Sequence, residues 1–199
     1  MSAGRIKLLV VLVVFEISIF ALLLFLLQQS MMPARLGVII VWFLPVVFGL
    51  HVTEEFAFPG GFKEWDRLYR PEFTRSVTDS YLAKLNAGAL IFAVLASLGA
   101  FDYRGGYAFG LRSWLLFLSV LLFNAFFHIR GTAITRHYSP GLITGILGYI
   151  PLTGVAYYYF IRTRAVDPVS AVFCFAGGVL LQPALNMLHK HRSQRRAAQ

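Results

Sequence analysis

Long apolar runs separated by short polar segments dominate the chain. Six runs stand out, at residues 8–27, 36–51, 85–101, 111–129, 142–161 and 169–188. A helix crosses the hydrocarbon core of a bilayer with about 20 apolar residues, and about 17 are enough. The second run is short, and it reaches this length only with help from residues 52–58. The pattern predicts an all-α membrane protein, a bundle of six transmembrane helices.

The composition excludes a soluble globular protein. Hydrophobic residues make up 58% of the 199 residues and charged residues only 14%, whereas a soluble domain is roughly 25% charged and less than half apolar. The length leaves no room for a large separate soluble domain, so we expect residues 1–199 to form a single transmembrane domain. The single cysteine, Cys174, cannot form an internal disulfide and is interpreted as a small apolar residue.

The basic residues predict how the helices are oriented. With the N-terminus in the cytoplasm, 13 of the 18 lysines and arginines fall in cytoplasmic segments, and the other 5 are Arg35, Arg104, Arg112, Arg162 and Arg164. The positive-inside rule expects this asymmetry, so we expect both termini to be cytoplasmic. The net charge of +9 favours membrane lipids with anionic headgroups as partners. We expect no nucleic acid to bind, because a basic tail after a membrane helix is the commoner explanation of such charge.

An amphipathic segment lies between the second and third runs. Its apolar side chains fall on one helical face and its charged side chains on the other; they are Phe62, Trp65, Leu68 and Tyr69, against Lys63, Glu64, Asp66, Arg67 and Arg70. Pro59-Gly60-Gly61 predicts a turn before this helix, and Pro71 predicts its end. The pattern is typical of an interfacial helix lying among the cytoplasmic headgroups. Such a helix could be a lid over the neighbouring residues or a plain membrane anchor.

The sequence His51-Val52-Thr53-Glu54-Glu55 places ionisable residues at the end of the second run. Helical spacing brings positions i, i+3 and i+4 onto one face, so His51, Glu54 and Glu55 are expected to converge. Ionisable residues within a membrane are costly, and by default they indicate a functional site. This motif is therefore the first candidate for the protein's chemistry.

Further polar residues stand where later apolar runs end or begin. Asn124 and His128 lie at i and i+4 near the end of the fourth run, and His137 precedes the fifth. All five histidines of the chain fall on the predicted cytoplasmic side. Asn124 is predicted either to orient His128 through a hydrogen bond or to join neighbouring helices. Ser139, followed by Pro140, is predicted as the N-cap of the next helix and as a further support for the histidines.

Two other polar groups are candidates for the lining of a pocket. Glu16 stands alone in the first apolar run, which indicates that this helix packs inside the bundle. Gln182, Asn186 and His189 follow at i, i+4 and i+7 in the last run and form a polar stripe. Hydrogen bonds between helices would explain this stripe nearly as well.

These motifs resemble those of a family of small bacterial integral membrane proteins named for their HXXEE motif. The residues that carry the resemblance are His51-Val52-Thr53-Glu54-Glu55, then Asn124 with His128, then His137-Tyr138-Ser139-Pro140-Gly141 with Thr144. The resemblance covers about residues 36–161, with the first and last runs as flanking helices. It implies a bacterial inner-membrane protein. It implies no activity, since the family's function is not established.

The motif also contains the ligands of a divalent metal site. Its spacing matches the inverted zincin pattern His-x-x-Glu-His with a carboxylate as the last ligand. In this hypothesis His51 and Glu55 bind the metal, His128 and His137 complete the coordination, and Glu54 is the general base. In an alternative arrangement both glutamates bind. Mixed carboxylate and imidazole ligands suit zinc, iron or manganese.

A structural role for the glutamates is the simplest alternative. Two carboxylates at a helix C-terminus oppose the helix dipole and need a positive charge nearby. Arg130 and Arg136 follow the fourth run and could supply this charge in place of a metal.

Two function classes remain open from the sequence. The first is a membrane-embedded metal-dependent hydrolase or oxidoreductase that acts on a lipid or other apolar substrate at the cytoplasmic leaflet. The second is a small transporter or proton-coupled carrier that uses the glutamates and histidines as a relay. No internal repeat is evident, and the candidate residues lie near one membrane face instead of the midplane, so the pattern favours the enzyme.

Overall fold

The computed structural model describes residues 32–75, 77–100 and 108–197, and the regular secondary structure of these residues is helical throughout. The elements are α1 (Met32–Phe56), α2 (Phe62–Tyr69), α3 (Pro71–Arg75), α4 (Asp79–Ala100), α5 (Ala108–Thr135), α6 (Leu142–Thr144), a π-helical turn (Gly145–Tyr149), α7 (Ile150–Arg162) and α8 (Pro168–Ala197). The second to sixth apolar runs lie in these helices, apart from residue 101. The first run, with Glu16, lies outside the described residues.

Three of the described helices are long and apolar enough to cross a membrane. They are Leu36–Phe56, Asp79–Ala100 and Phe109–Thr135. Large apolar side chains cover much of the outer surface; Leu95 is 59% exposed, Leu147 73% and Phe173 73%. A soluble monomer rarely exposes so many large apolar side chains, and lipid is their natural environment. The helices therefore confirm the prediction of an all-helical membrane protein.

A proline in the middle of α1 ties this helix to its neighbours. Pro45 has no N–H, so the carbonyl of Val41, four residues earlier, loses its partner within the helix. Two buried side chains donate to this carbonyl instead: Ser97 Oγ of α4 at 3.0 Å and Trp114 Nε1 of α5 at 3.1 Å. The carbonyl that Pro45 leaves unpaired in α1 thus connects α1, α4 and α5 in the core.

The short helix α2 packs against α5. A Cβ on Gly131 would come within 2.4 Å of the Trp65 indole, so the ring rests directly on the α5 backbone. Trp65 is 4% exposed, and its ring stacks on that of His128 with centroids 5.8 Å apart. Phe62 contacts the same imidazole at 5.9 Å. The predicted helix therefore exists and covers a histidine of the candidate site.

The polar face of α2 differs from the predicted one. The sequence pattern placed Asp66 on the exposed charged face, but Asp66 is 3% exposed. Its carboxylate accepts hydrogen bonds from Arg70 Nε and Thr74 Oγ1, both at 2.8 Å. The Arg70 guanidinium also lies 4.2 Å from the centre of the Phe127 ring. Asp66 is buried because these donors satisfy it, and together they join α2 to α3 and α5.

One of two predicted boundaries next to the site was wrong. The helix α2 ends at Tyr69, just before Pro71, as predicted, and Pro71 itself begins α3, which agrees with the preference of proline for the first helical position. Ser139 is not the N-cap of the following helix; Gly141, with φ of 104°, takes that place. The Ser139 carbonyl accepts from the backbone N–H of Leu142 in a turn, and this turn leaves the Ser139 hydroxyl free to bond elsewhere.

Candidate functional site

Three buried side chains from two helices meet at one point. His51 and Glu55 stand one turn apart at the end of α1, and His128 comes from α5. Glu55 Oε1 lies 3.4 Å from His51 Nε2 and 3.3 Å from His128 Nε2. The three residues are 6% exposed or less, and their ligand atoms all lie within 4.8 Å of one another. The helical spacing thus brought His51 and Glu55 together as predicted, and the tertiary fold added His128.

The far side of the His51 ring is held by a hydroxyl and a carboxylate. His51 Nδ1 lies 2.8 Å from Thr144 Oγ1, and Thr144 Oγ1 lies 2.6 Å from Glu54 Oε2. The hydroxyl hydrogen goes to the carboxylate, which can only accept when ionised. His51 Nδ1 must therefore carry a proton and donate it to Thr144. In the neutral imidazole Nε2 then carries the lone pair, on the side of Glu55.

His128 is held in a similar way by the loop after α5. Its Nδ1 lies 2.7 Å from Ser139 Oγ, and both residues are fully buried. Asn124 Nδ2 lies 2.9 Å from His51 Nε2 and 3.3 Å from His128 Nε2. The amide donates to these nitrogens, so both present acceptors at Nε2. Asn124 therefore contacts the imidazoles on the side of Glu55, whereas Ser139 and Thr144 support them from behind.

Glu54 has a different place from the one predicted for a general base. Its carboxylate accepts from four donors: the Tyr138 hydroxyl, Ile143 N at 3.0 Å, Thr144 N at 2.8 Å and Thr144 Oγ1 at 2.6 Å. The two backbone N–H groups belong to the first turn of α6, after Gly141, and N–H groups in a first turn have no acceptor within their own helix. The Glu54 side chain of α1 therefore caps the N-terminus of α6.

Tyr138 completes this cap from the loop. Burial, and then the hydrogen bond to Glu54, raise the pKa of the Tyr138 phenol above its usual value. A raised pKa keeps the hydroxyl protonated at neutral pH, so it remains a donor to the carboxylate. The Tyr138 contact was not predicted from the sequence, although the residue adjoins His137 and Ser139 in the motif.

His137, the fourth predicted ligand, does not join the group. Its side chain is exposed, and Nδ1 lies 2.7 Å from the carbonyl oxygen of Thr135. The two residues before it explain this position. The backbone of Arg136 has φ of 55°, in the left-handed region, and it turns the chain at the end of α5. His137 leaves this turn on the outer side while Ser139 enters the core.

Neither Arg130 nor Arg136 pairs with the two glutamates in the described structure. Among the described residues, the basic side chains that lie beside the Glu55 carboxylate are the imidazoles of His51 and His128. Arg130 instead donates to the Tyr69 hydroxyl at 2.8 Å. Within the described structure, the charge that offsets the carboxylates at the end of α1 is therefore not that of an arginine. Hydrogen-bond donors stabilise Glu54, whereas Glu55 faces the two imidazoles.

Gly141 and Tyr149 are residues of this site that sequence reasoning missed. A Cβ on Gly141 would lie 2.6 Å from His51 Cε1 and 2.7 Å from His128 Cε1, so its backbone closes over both rings. Tyr149 packs against His51 with ring centroids 5.0 Å apart. Gly141 belongs to the Ser-Pro-Gly motif and could have been suspected, but nothing in the local sequence distinguishes Tyr149 from the other tyrosines of the run.

The predicted stripe of the last helix is not described at side-chain level. Gln182, Asn186 and His189 lie within α8, and their side chains fall outside the described part of the structure. The pocket role predicted for them, like that of Glu16, stays a prediction.

Comparison with known proteins identifies the family. The family described as "Protein of unknown function with HXXEE motif" matches residues 42–156, more than half of the chain. The chain belongs to this family, as the motifs indicated. It is also similar to the uncharacterized protein YrkK of Bacillus subtilis (strain 168), with 27% identity over 131 residues, which are 64% of this chain and 80% of the relative. No solved structure matches the chain significantly.

Proposed function

We propose that this HXXEE-family protein is a membrane-embedded, metal-dependent enzyme, a hydrolase or an oxidoreductase, that acts on a lipid or other apolar substrate at the cytoplasmic leaflet. The observation that carries the proposal is the convergence of His51 Nε2, His128 Nε2 and Glu55 Oε1 in a buried site. Three acceptor atoms held this close repel one another unless a cation or a donor lies between them. A divalent metal ion supplies that charge.

The distances between these donors fit a metal ion. Bonds of about 2.0–2.2 Å in tetrahedral geometry place neighbouring ligand atoms ~3.3–3.6 Å apart. Glu55 Oε1 stands 3.4 Å from one imidazole nitrogen and 3.3 Å from the other. The protonated Nδ1 of each ring, held by Thr144 or Ser139, is the arrangement by which proteins orient histidine ligands. The Asn124 amide occupies the same side and would have to move or rotate when a metal binds.

The ligand set supports both reaction types. Two histidines and one glutamate hold zinc in hydrolases that activate water, and two histidines with one carboxylate also hold iron in oxygenases. We therefore propose zinc, iron or manganese, with positions left open for water or substrate. Glu54 does not enter this proposal as a base, because four donors already occupy its carboxylate. Its role is to hold Thr144 and, through it, the His51 tautomer.

The position of the site supports an apolar substrate. His51 and Glu55 lie in the last turns of the candidate span Leu36–Phe56, and His128 lies seven residues, or about 10 Å, before the end of Phe109–Thr135. We propose that these ends face the cytoplasm in a bacterial inner membrane, with six spans and both termini inside, as the basic residues predict. Trp65 and Phe62 cover His128, so α2 would lie at the headgroup level as an interfacial helix over the site.

A proton-coupled carrier is the second candidate. A series of groups that can exchange protons runs from Glu54 through Thr144 and His51 to Glu55 and His128, and favours proton movement between buried groups. The same series serves equally well to hold two metal ligands. The two candidates differ in metal content, because a relay needs no bound ion.

Metal analysis of the full chain tests the proposal. The protein would be purified in a mild detergent without chelators, and its metals measured by mass spectrometry. We expect stoichiometric zinc, iron or manganese in the wild type and background levels in His51→Ala and Glu55→Ala. His137→Ala is the matched control, since it removes an exposed histidine of the neighbouring loop and should retain the metal. A folded wild-type protein that neither carries nor takes up any of the three metals would contradict the enzyme proposal and favour the carrier.

A further inference from the structure

Tyr149 is buried against the candidate metal site with its hydroxyl unused. The residue is 0% exposed, and among the described residues its hydroxyl has no hydrogen-bond partner. Buried polar groups are nearly always paired, so an unpaired one needs an explanation. The ring packs on His51, with centroids 5.0 Å apart and an angle of 53° between the planes.

The π-helical turn is what brings Tyr149 to this imidazole. The turn covers Gly145–Tyr149 and is closed by the N–H of Ile150 donating to the carbonyl of Gly145, five residues earlier. With this wider spacing, Thr144 and Tyr149 stand about one turn apart and both reach His51, one by a hydrogen bond and the other by its ring. In a regular α-helix, residues five apart point in different directions. Single π turns often occur at functional sites for this reason.

Two glycines press the π turn against the helices that carry the ligands. A Cβ on Gly145 would lie 3.2 Å from the Ala125 Cα of α5, and a Cβ on Gly148 would lie 2.5 Å from Val47 Cγ1 of α1. Tyr149 is thus held between the helix of His51 and the helix of His128. The carboxylates of the site are acceptors, so beside them the part left to a tyrosine hydroxyl is that of a donor.

We infer that the Tyr149 hydroxyl donates a hydrogen bond to an anionic ligand bound beside His51, Glu55 and His128, such as a carboxylate, an alkoxide or a hydroxide. The inference rests on the proposed metal site, since a metal held by His51, Glu55 and His128 would supply the positive charge that attracts such a ligand. A donor already in place, with no partner to give up among the described residues, stabilises negative charge on that ligand without rearrangement. The site would therefore favour substrates that present an ionised oxygen.

Anion binding to the cobalt-loaded protein tests this inference. The full chain in mild detergent would be loaded with Co²⁺, and azide, a small anion that accepts hydrogen bonds, would be titrated while the visible absorption is followed. In Tyr149→Phe we expect Co²⁺ retention within about twofold of the wild type and an azide dissociation constant raised about ten- to a hundredfold, the loss of one hydrogen bond to a charged group. The melting temperature should not fall, because the hydroxyl has no partner to lose in the described part of the protein.

Tyr157→Phe is the matched control. Tyr157 lies on the same helical segment, but its hydroxyl is paired with Ser119 Oγ at 2.8 Å. This variant should bind azide like the wild type. Unchanged azide affinity in a cobalt-loaded Tyr149→Phe protein would overturn the inference and leave the metal proposal standing. A wild-type protein that binds no Co²⁺ would overturn both.

Discussion

Thr144 Oγ1 lies 2.8 Å from His51 Nδ1, although 93 residues separate the two in the chain. The contact joins the end of α1 to the first turn after the Ser-Pro-Gly loop. It also determines which nitrogen of His51 carries the proton, because the same hydroxyl donates to Glu54 at 2.6 Å. The HXXEE motif is therefore completed by the Thr144 that follows the distant His-Tyr-Ser-Pro-Gly motif.

Replacing Thr144 by valine should weaken metal binding. Valine has nearly the same shape but cannot accept the proton of His51 Nδ1, so the imidazole loses its orientation and its favoured tautomer. Loss of such a supporting contact typically lowers metal affinity about 10–100-fold. The dissociation constant would be measured by competition with a chelator of known affinity. Thr144→Ser keeps the hydroxyl and should remain close to the wild type; equal affinities for the valine and serine variants would contradict this role.

Glu54→Gln distinguishes a cap from a catalytic base. If Glu54 were only a general base, glutamine in its place would leave the fold and the metal intact. A carboxylate that accepts hydrogen bonds from four donors cannot be replaced by an amide without loss of stability. One end of the glutamine amide is a donor and would face other donors. We expect a loss of roughly 1–3 kcal/mol in the free energy of unfolding, the cost of unpaired buried groups, together with weaker metal retention.

Thermal unfolding in detergent would measure the Glu54→Gln effect, with Glu72→Gln as the control on the exposed surface of α3. A variant that melts like the wild type and retains its metal, but has lost activity, would restore Glu54 as the base.

Gly141→Ala should damage the site directly. The φ of 104° at this residue is strained for any side chain, and the new methyl group would meet His51 Cε1 at 2.6 Å and His128 Cε1 at 2.7 Å. Backbone strain of this kind costs about 1–3 kcal/mol, and displaced imidazoles should also lose the metal. Gly88→Ala is the control, since nothing lies within 4 Å of its added Cβ on α4. This control should be neutral or more stable than the wild type, as judged by its melting temperature.

The proposed orientation is tested by reporter fusions at both termini. A fluorescent protein that folds only in the cytoplasm and a phosphatase that is active only outside it would be fused in turn to each end. We expect cytoplasmic signals at both, because 13 of 18 basic residues lie in the segments placed inside. An external signal at either end would remove the argument that the site faces the cytoplasmic leaflet, without affecting the metal proposal.

The sequence by itself determined the class of the protein and the first half of its site. Apolar runs long enough to span a bilayer predict helices without knowledge of their neighbours, because the backbone in lipid must satisfy its own hydrogen bonds. The i, i+4 spacing placed His51 beside Glu55 in the same way, since two residues on one helix face need no tertiary information. Asn124 and His128 follow the same rule on α5.

Only the tertiary structure decided which of the remaining polar residues meet this pair. Spacing along a helix says nothing about the direction in which a loop leaves it. The left-handed turn at Arg136 sends His137 outward, and the backbone at Gly141 brings Ser139 and Thr144 to the imidazoles. Glu54, next to Glu55 in sequence, lies beneath the first turn of another helix and accepts its free N–H groups. Its carboxylate is thus a cap because the N–H groups of Ile143 and Thr144, about 90 residues away in the chain, lie beside it. The local sequence around Glu54 contains no sign of these partners.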